Sequence, residues 1–319
     1  MDLESVGKIA VVGAGTMGPG LAQVFAGAGH PVALYSRSGE TLEKALSITA
    51  VNLETFVRNG LLQAEDVAPI LARVTPTRSL AEAGRDASLV IETIAENVEA
   101  KRAAFTELDD VCPSDAVFTS NTSYLDIYGL VPERRLPATV IAHWFAPPQI
   151  IPLVEVVKGP HTSQKTVDLV VALLKQVDRV PVVMEKFVPG FCVNRLLRII
   201  GREVFFLLDN GYMTADQLDL AVKASIVPRA MVLGFVQRYD FTGLDLSLNN
   251  LKNTAFLEPP LDNSPRSLVE HVEKGELGAK SGKGFFDYSD REREDVLRER
   301  DDALLRVFGS VRDLMDEHI

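Results

Sequence analysis

His143 closes the apolar segment Thr139-Val-Ile-Ala-His143-Trp144, and Glu155 sits among Leu153, Val154, Val156 and Val157. Both segments read as buried strands carrying one ionisable group apiece. An ionised carboxylate taken out of water without compensation is strongly destabilising, so Glu155 needs a cation or a strong donor. His143 is the nearest candidate along the chain. A histidine held by a buried carboxylate suits general-base chemistry near neutral pH. Taken alone, the two residues leave open a core histidine and a core carboxylate with separate partners.

The elements that must position this chemistry begin at Lys8–Val12, a short apolar strand running into Gly13-Ala-Gly15-Thr16-Met17-Gly18 and then into a helical segment that ends near Gly27 to Gly29. A second strand, Val32–Tyr35, closes a compact βαβ unit. A glycine turn between strand and helix is the context a dinucleotide site requires. The glycines permit a tight turn and close approach of a pyrophosphate, whose charge meets the helix N-terminus near Thr16 and Met17. An Asp or Glu at the end of the second strand would hold an adenosine ribose diol, but this chain reads Tyr35-Ser36-Arg37-Ser38. Two hydroxyls around a guanidinium suit a 2′-phosphate, which favours NADP(H) over NAD(H). The alternative is a solvated Arg37 and an NAD held without the carboxylate.

Residues 40 to 80 read as helices of mixed polarity, followed by a strand at Ser88–Thr93 and a helix opened by Ala95-Glu96-Asn97 that contains Lys101. A further strand, Ala116–Thr119, ends in the polar run Ser120-Asn-Thr-Ser123, where open α/β sheets place ligands. Helix capping is the competing role for those side chains. After Val180–Met184 the strand signals nearly vanish at Phe187-Val-Pro-Gly-Phe191. The expected architecture is therefore an α/β Rossmann dinucleotide-binding domain over residues 1–186 followed by an all-α domain over 187–319. Asn194 to Asn210 is apolar around most of its circumference and stops at Gly211, so it is expected to be buried or to form an interface. Thr214-Ala-Asp-Gln217 is a capping-box pattern, and Arg291 to Arg300 reads as a solvated charged face.

The net charge of -11 argues against nucleic acid and anionic membrane surfaces as partners and leaves a small molecule. Cys112 and Cys192, expected to be buried thiols, lack a metal-ligand spacing and suit a reducing compartment, so no metal is expected. The opening Met-Asp-Leu-Glu-Ser has no basic leader character and no apolar run has membrane-spanning length, which makes the cytoplasm the expected location.

In order along the chain, Gly13–Gly18, Val90-Ile-Glu-Thr-Ile-Ala-Glu96-Asn97 with Lys101, Ser120–Ser123, His143-Trp-Phe-Ala-Pro147, Leu153-Val-Glu-Val156, Pro189-Gly-Phe-Cys-Val-Asn194-Arg-Leu-Leu197 and Gly278-Ala-Lys280-Ser-Gly-Lys-Gly-Phe285 together resemble the L-3-hydroxyacyl-CoA dehydrogenase family. The resemblance implies that His143 removes the proton of a substrate 3-hydroxyl while hydride leaves C3 for a nicotinamide ring, with Glu155 orienting it. It further implies that Ser120 and Asn194 hold substrate oxygens, and that Glu96, Lys101 and Lys280 lie near the nicotinamide end of the cofactor. A structural ion-pair role competes for those last three residues. Two departures stand out. The family's usual Asn is Ala146, and residues 45 to 100 contain no Lys and only Arg58, Arg73, Arg78 and Arg85 where a CoA phosphate would want a basic cluster. Pro147 to Glu155 and the charged tail after Tyr288 look like the subgroup of L-gulonate 3-dehydrogenase (lambda-crystallin) and carnitine dehydrogenase, whereas Asp240-Phe-Thr-Gly-Leu-Asp245 and Gly278 to Tyr288 look like the acyl-CoA branch. The expected activity is interconversion of a 3-hydroxyacyl and a 3-ketoacyl compound with NAD(P), in a homodimer formed through the helical domain. A dehydrogenase of a small free 3-hydroxy or β-keto acid or ester is the alternative, and a catalytically silent cofactor-binding protein is the alternative of another class.

Overall fold

A computed structural model describes residues 2–315. The chain divides into two compact units, residues 1–194 and 195–319. The first is built on an eight-stranded sheet of order β3-β2-β1-β4-β5-β6-β7-β8, with β1 Lys8–Val12, β2 Val32–Tyr35, β3 Val74–Thr77, β4 Ala87–Glu92, β5 Val117–Ser120, β6 Thr139–Trp144, β7 Leu153–Val157 and β8 Val180–Met184. All pairings are parallel except β6 with β7. Helices α1 Gly18–Gly27, α2 Gly39–Arg58, α3 Val67–Ala72, α4 Leu80–Gly84, α5 Val98–Val111 and α6 Gln164–Gln176 lie between the strands. Side-chain caps start several of them: Ser38 accepts from Thr41 N, Asn97 from Ala100 N and Ser163 from Thr166 N.

The central strands are apolar on both sides because helices cover both faces. One core gathers Phe25, Leu34, Leu53, Val140, Trp144 and Val154, and the other Phe105, Leu108, Phe118, Ile127 and Phe191. Each fully buried Leu or Phe contributes about 1.5–3 kcal/mol. The strand Val74–Thr77 lies in a stretch whose sequence reads as helical. It is four residues long and contains Pro76, which a sheet accepts only at an edge, and β3 is the edge strand. So short a Pro-interrupted run carries no strand signature until β2 pairs with it.

The order of strands reverses beside β1, with β2 on one side and β4 on the other. Ligands of open α/β sheets bind at the carboxyl ends of the strands next to such a switch. The register then carries that edge across the sheet, pairing Val12 with Glu92, Glu92 with Ser120, and His143 with Glu155.

The second unit is helical. Its first helix, α7, spans Val193–Asp209 and begins in the last residues of the first unit. Thr214 caps the next helix by accepting from Gln217 N, and Gly211 takes the left-handed conformation, φ 69°, that ends α7. Among its described residues only Leu218 and Pro265 are buried. Residues 187–194 group with the first unit because Phe191 is fully buried in its core and the amides of Cys192 and Val193 bond Glu155.

Candidate active site

The glycine turn is shaped by close approach. Gly13 has φ +126°, and a Cβ there would lie 2.5 Å from the Thr93 carbonyl oxygen. A Cβ on Gly18 would lie 2.3 Å from the Gly13 carbonyl oxygen. Gly15 differs, since a Cβ there meets nothing within 4 Å, and the space beside it is open. Met17 stands at the N-cap of α1 with no side chain bonding the first-turn amides, and Thr16 is exposed. Uncapped amides beside an open glycine fit the pyrophosphate of a dinucleotide. At the end of β2, Ser38 caps α2, Ser36 Oγ accepts from Ser38 N at 3.3 Å, and Arg37 is exposed.

Glu92, at the carboxyl end of β4, is fully buried. Its Oε1 accepts from Lys101 Nζ at 2.6 Å and from Ile94 N at 2.8 Å, while Oε2 accepts from Ser120 Oγ at 2.5 Å. Lys101, also buried, lies 3.4 Å from Glu96. Glu96 accepts from Thr122 Oγ1 at 2.9 Å and from Ser123 N at 2.6 Å. The polar run after β5 therefore anchors strand ends and caps no helix; Asn121 Oδ1 accepts from Trp144 N at 2.7 Å. The structure thus joins Ser120, Glu96 and Lys101, and it adds Glu92, which is not among the candidate site residues above. The signal was available: one carboxylate in an otherwise apolar strand, the pattern that singled out Glu155.

His143 Nδ1 lies 2.8 Å from Glu155 Oε2, directly across the antiparallel pair. A carboxylate can only accept, so Nδ1 carries the hydrogen, and in the neutral ring Nε2 then presents its lone pair. Glu155 Oε1 accepts from the amides of Cys192 and Val193, each at 2.9 Å. Burial pushes the Glu155 carboxyl up, but the His143 hydrogen bond and the Val193 and Cys192 amides outweigh it and hold the group below the usual carboxylate range. Those amides are aimed by two successive left-handed residues, Gly190 at φ 78° and Phe191 at φ 50°. Phe145 and Phe191 flank the imidazole at 4.6 and 5.3 Å between ring centroids. The connection from β6 to β7 is tied down by Arg179, which donates to the carbonyls of Pro148, Gln149 and Ile151 and is pulled down to about 10 by burial.

Asn194 is half-buried next to the Glu155-binding amide of Val193. Lys280 belongs to the second unit, exposed in the short turn Ala279–Ser281. Of the two thiols expected to be buried, Cys112 is and Cys192 is not. The turn that sends Phe191 inward and points the Cys192 amide at Glu155 leaves the Cys192 side chain at the surface.

Residues 8–187 match the family model described as 3-hydroxyacyl-CoA dehydrogenase, NAD binding domain, and residues 190–288 match that of the C-terminal domain. The chain belongs to the 3-hydroxyacyl-CoA dehydrogenase family. It is an oxidoreductase of CH–OH groups that uses a nicotinamide dinucleotide. It is 34% identical to a 3-hydroxybutyryl-CoA dehydrogenase of Clostridioides difficile over 88% of this chain and 99% of that one. It is 33% identical to the 5-formyl-3-hydroxy-2-methylpyridine 4-carboxylate 5-dehydrogenase of Mesorhizobium japonicum, over 94% and 96%. Among solved structures, a 5-formyl-3-hydroxy-2-methylpyridine 4-carboxylic acid 5-dehydrogenase, described as an NAD+-dependent dismutase, superposes with a TM-score of 0.84 at 30% identity over 98% of this chain and 99% of that one. The (S)-3-hydroxybutyryl-CoA dehydrogenase of Ralstonia eutropha gives 0.71 at 28% identity, over 89% and 99%. Among the described residues no helix is long and apolar enough to cross a membrane.

Proposed function

We propose that the chain interconverts 3-hydroxyacyl and 3-ketoacyl compounds with His143 as general acid/base. The observation that carries this reading is the buried His143–Glu155 pair, 2.8 Å apart, whose carboxylate is fixed from behind by two amides. The nicotinamide ring, when bound, supplies the hydride acceptor or donor. His143 Nε2 takes the proton of the 3-hydroxyl during oxidation and returns it during reduction. In the neutral ring Glu155 holds the hydrogen on Nδ1 and so leaves Nε2 as the acceptor, and it stabilises the imidazolium as it forms. Ser120 and Asn194 hold substrate oxygens. Gly13, Gly15, Thr16, Met17 and Gly18 receive the pyrophosphate, Glu96 and Lys101 frame the nicotinamide end, and Lys280 keeps its assignment there from its motif. Residues 1–186 carry the cofactor, and 187–319 carry substrate and dimer contacts.

A second reading, a small substrate without CoA, is favoured by the scattering of the arginines between residues 45 and 100. Arg73 donates to the Ala26 carbonyl at 3.2 Å, and Arg78 to the Arg37 carbonyl at 3.2 Å. The Mesorhizobium relative, matched over nearly its full length, is named for a pyridine carboxylate. Initial rates with acetoacetyl-CoA and with free β-keto acids, each with NADH and NADPH, separate the readings. Turnover of the thioester that His143→Ala abolishes supports the first. Turnover of the free acids alone replaces it with the second.

NADP(H) is the proposed cofactor, supported by the acid-free Ser36-Arg37-Ser38 turn, and the cytoplasm the proposed location, on cysteine usage. A homodimer is proposed from α7, on which Leu196, Leu197, Ile199 and Ile200 are 45–61% exposed. Large apolar side chains exposed together on one helix suit a contact with a second chain. Sedimentation at micromolar concentration should give a dimer, and a monomer overturns the proposal.

A further inference from the structure

The turn after β2 is not the only source of positive charge at that corner of the sheet. β3 runs beside β2 with Tyr35 paired to Thr77, and Ser36 N donates to the Thr77 carbonyl at 3.2 Å. The next residue of that chain segment is Arg78. Its Nε donates to the Arg37 carbonyl at 3.2 Å. That single bond lays the guanidinium against the Ser36–Ser38 turn and leaves its four Nη hydrogens for other partners.

Neighbouring acids do not use them up. Arg134, Arg135, Arg291, Arg298 and Arg300 each pair with a carboxylate. Among the described residues Arg37 and Arg78 have no such partner. Of the nearby acids, Glu82 accepts from Thr77 Oγ1 at 2.6 Å, and Glu40 is exposed in the first turn of α2. Two guanidinia therefore stand at this turn without a carboxylate partner among the described residues, in a chain whose net charge is -11. The hydroxyls agree with this. Ser36 Oγ accepts from Ser38 N, and Ser38 Oγ from Thr41 N, both at 3.3 Å. Each therefore retains its own hydrogen to donate to an anion. The helix that follows, Gly39–Arg58, is twenty residues long and adds its positive N-terminal dipole.

We infer that Arg78 is a cofactor-specificity residue, closing with Arg37, Ser36 and Ser38 a site for the 2′-phosphate of NADP(H). The inference rests on the NADP(H) reading above and extends it from one strand to two. A phosphate monoester carries nearly two charges and three acceptor oxygens, which matches two guanidinium forks and two hydroxyls. A bare ribose diol offers the arginines no anion.

Calorimetric titration of the full chain with two cofactor fragments, 2′,5′-ADP and 5′-AMP, tests this without turnover. The unaltered protein should bind 2′,5′-ADP at least tenfold more tightly. Arg78→Ala should remove roughly tenfold of that preference, about the effect of one charge-assisted contact. Affinity for 5′-AMP should stay the same. Arg78→Gln retains a side-chain N–H for the Arg37 carbonyl and should lose the preference equally, which separates charge from support of the turn. If Arg78→Ala weakens both fragments alike, or Arg78→Gln retains the preference, Arg78 only braces the turn and the inference fails. If the preference survives Arg78→Ala but not Arg37→Ala, the NADP(H) reading stands and the role of Arg78 is refuted. No preference in the unaltered protein overturns both.

Discussion

Two buried carboxylates face the carboxyl edge of the sheet, and the chain treats them differently. Glu92 is compensated by a full charge, the Lys101 ammonium at 2.6 Å, and its other oxygen takes the hydrogen of Ser120. Glu155 is compensated by neutral donors, two backbone amides and an imidazole N–H. A lysine beside Glu155 would satisfy the carboxylate and leave nothing to stabilise a charged histidine. With amides behind it, Glu155 keeps its negative charge for His143. The Glu92 group is an anchor, and the Glu155 group is a charge held ready for a proton that arrives during the reaction.

The largest effect should come from the anchor. Lys101→Met leaves Glu92 buried without its cation and should lower the unfolding free energy by about 3–5 kcal/mol. His143→Ala leaves Glu155 its two amides and should lower it by about 1–3 kcal/mol. Urea unfolding of both variants ranks them, and an equal loss would erase the distinction drawn between the two carboxylates. Next, Glu155→Gln should reduce turnover by roughly 10² or more with cofactor affinity nearly unchanged. A parallel loss of cofactor binding would mean that the residue holds the fold instead. A smaller change, roughly tenfold in turnover, is expected for Glu92→Gln. There Lys101 retains Glu96, but the Ser120 hydroxyl loses the charged acceptor that fixes its direction. Unaltered kinetics in a folded variant would show that Ser120 needs no such orientation.

The smallest effect is a pH dependence. Glu155 titrates lower in the folded chain than its ordinary value of about 4.5. Its contribution to stability is therefore complete above that value and fades as the pH falls towards and through the folded one. The stability difference between the unaltered protein and Glu155→Gln should be constant near neutrality and shrink below about pH 4.5. A difference that persists into acid would assign it to packing.

Much of this molecule is legible from residue order alone. The strands Lys8–Val12, Val32–Tyr35 and Val180–Met184, the glycine turn, the helical second part and the facing of His143 and Glu155 all follow from apolar runs interrupted by single ionisable or turn residues. Local patterns suffice there because strand burial, helix capping and glycine geometry act over a few residues. Three features required the fold. The edge strand with Pro76 exists only because β2 offers it a ladder. The Glu92–Lys101–Ser120 group joins side chains from two strands and a helix, so no single segment announces it. The surface position of Cys192 follows from a left-handed turn that commits its amide to Glu155, thirty-seven residues earlier in the chain. Sequence determined which residues carry charge into the core. Tertiary structure decided what neutralises each charge, because an ionised group in a low-dielectric interior is governed by neighbours a few ångströms away, wherever they lie in the chain.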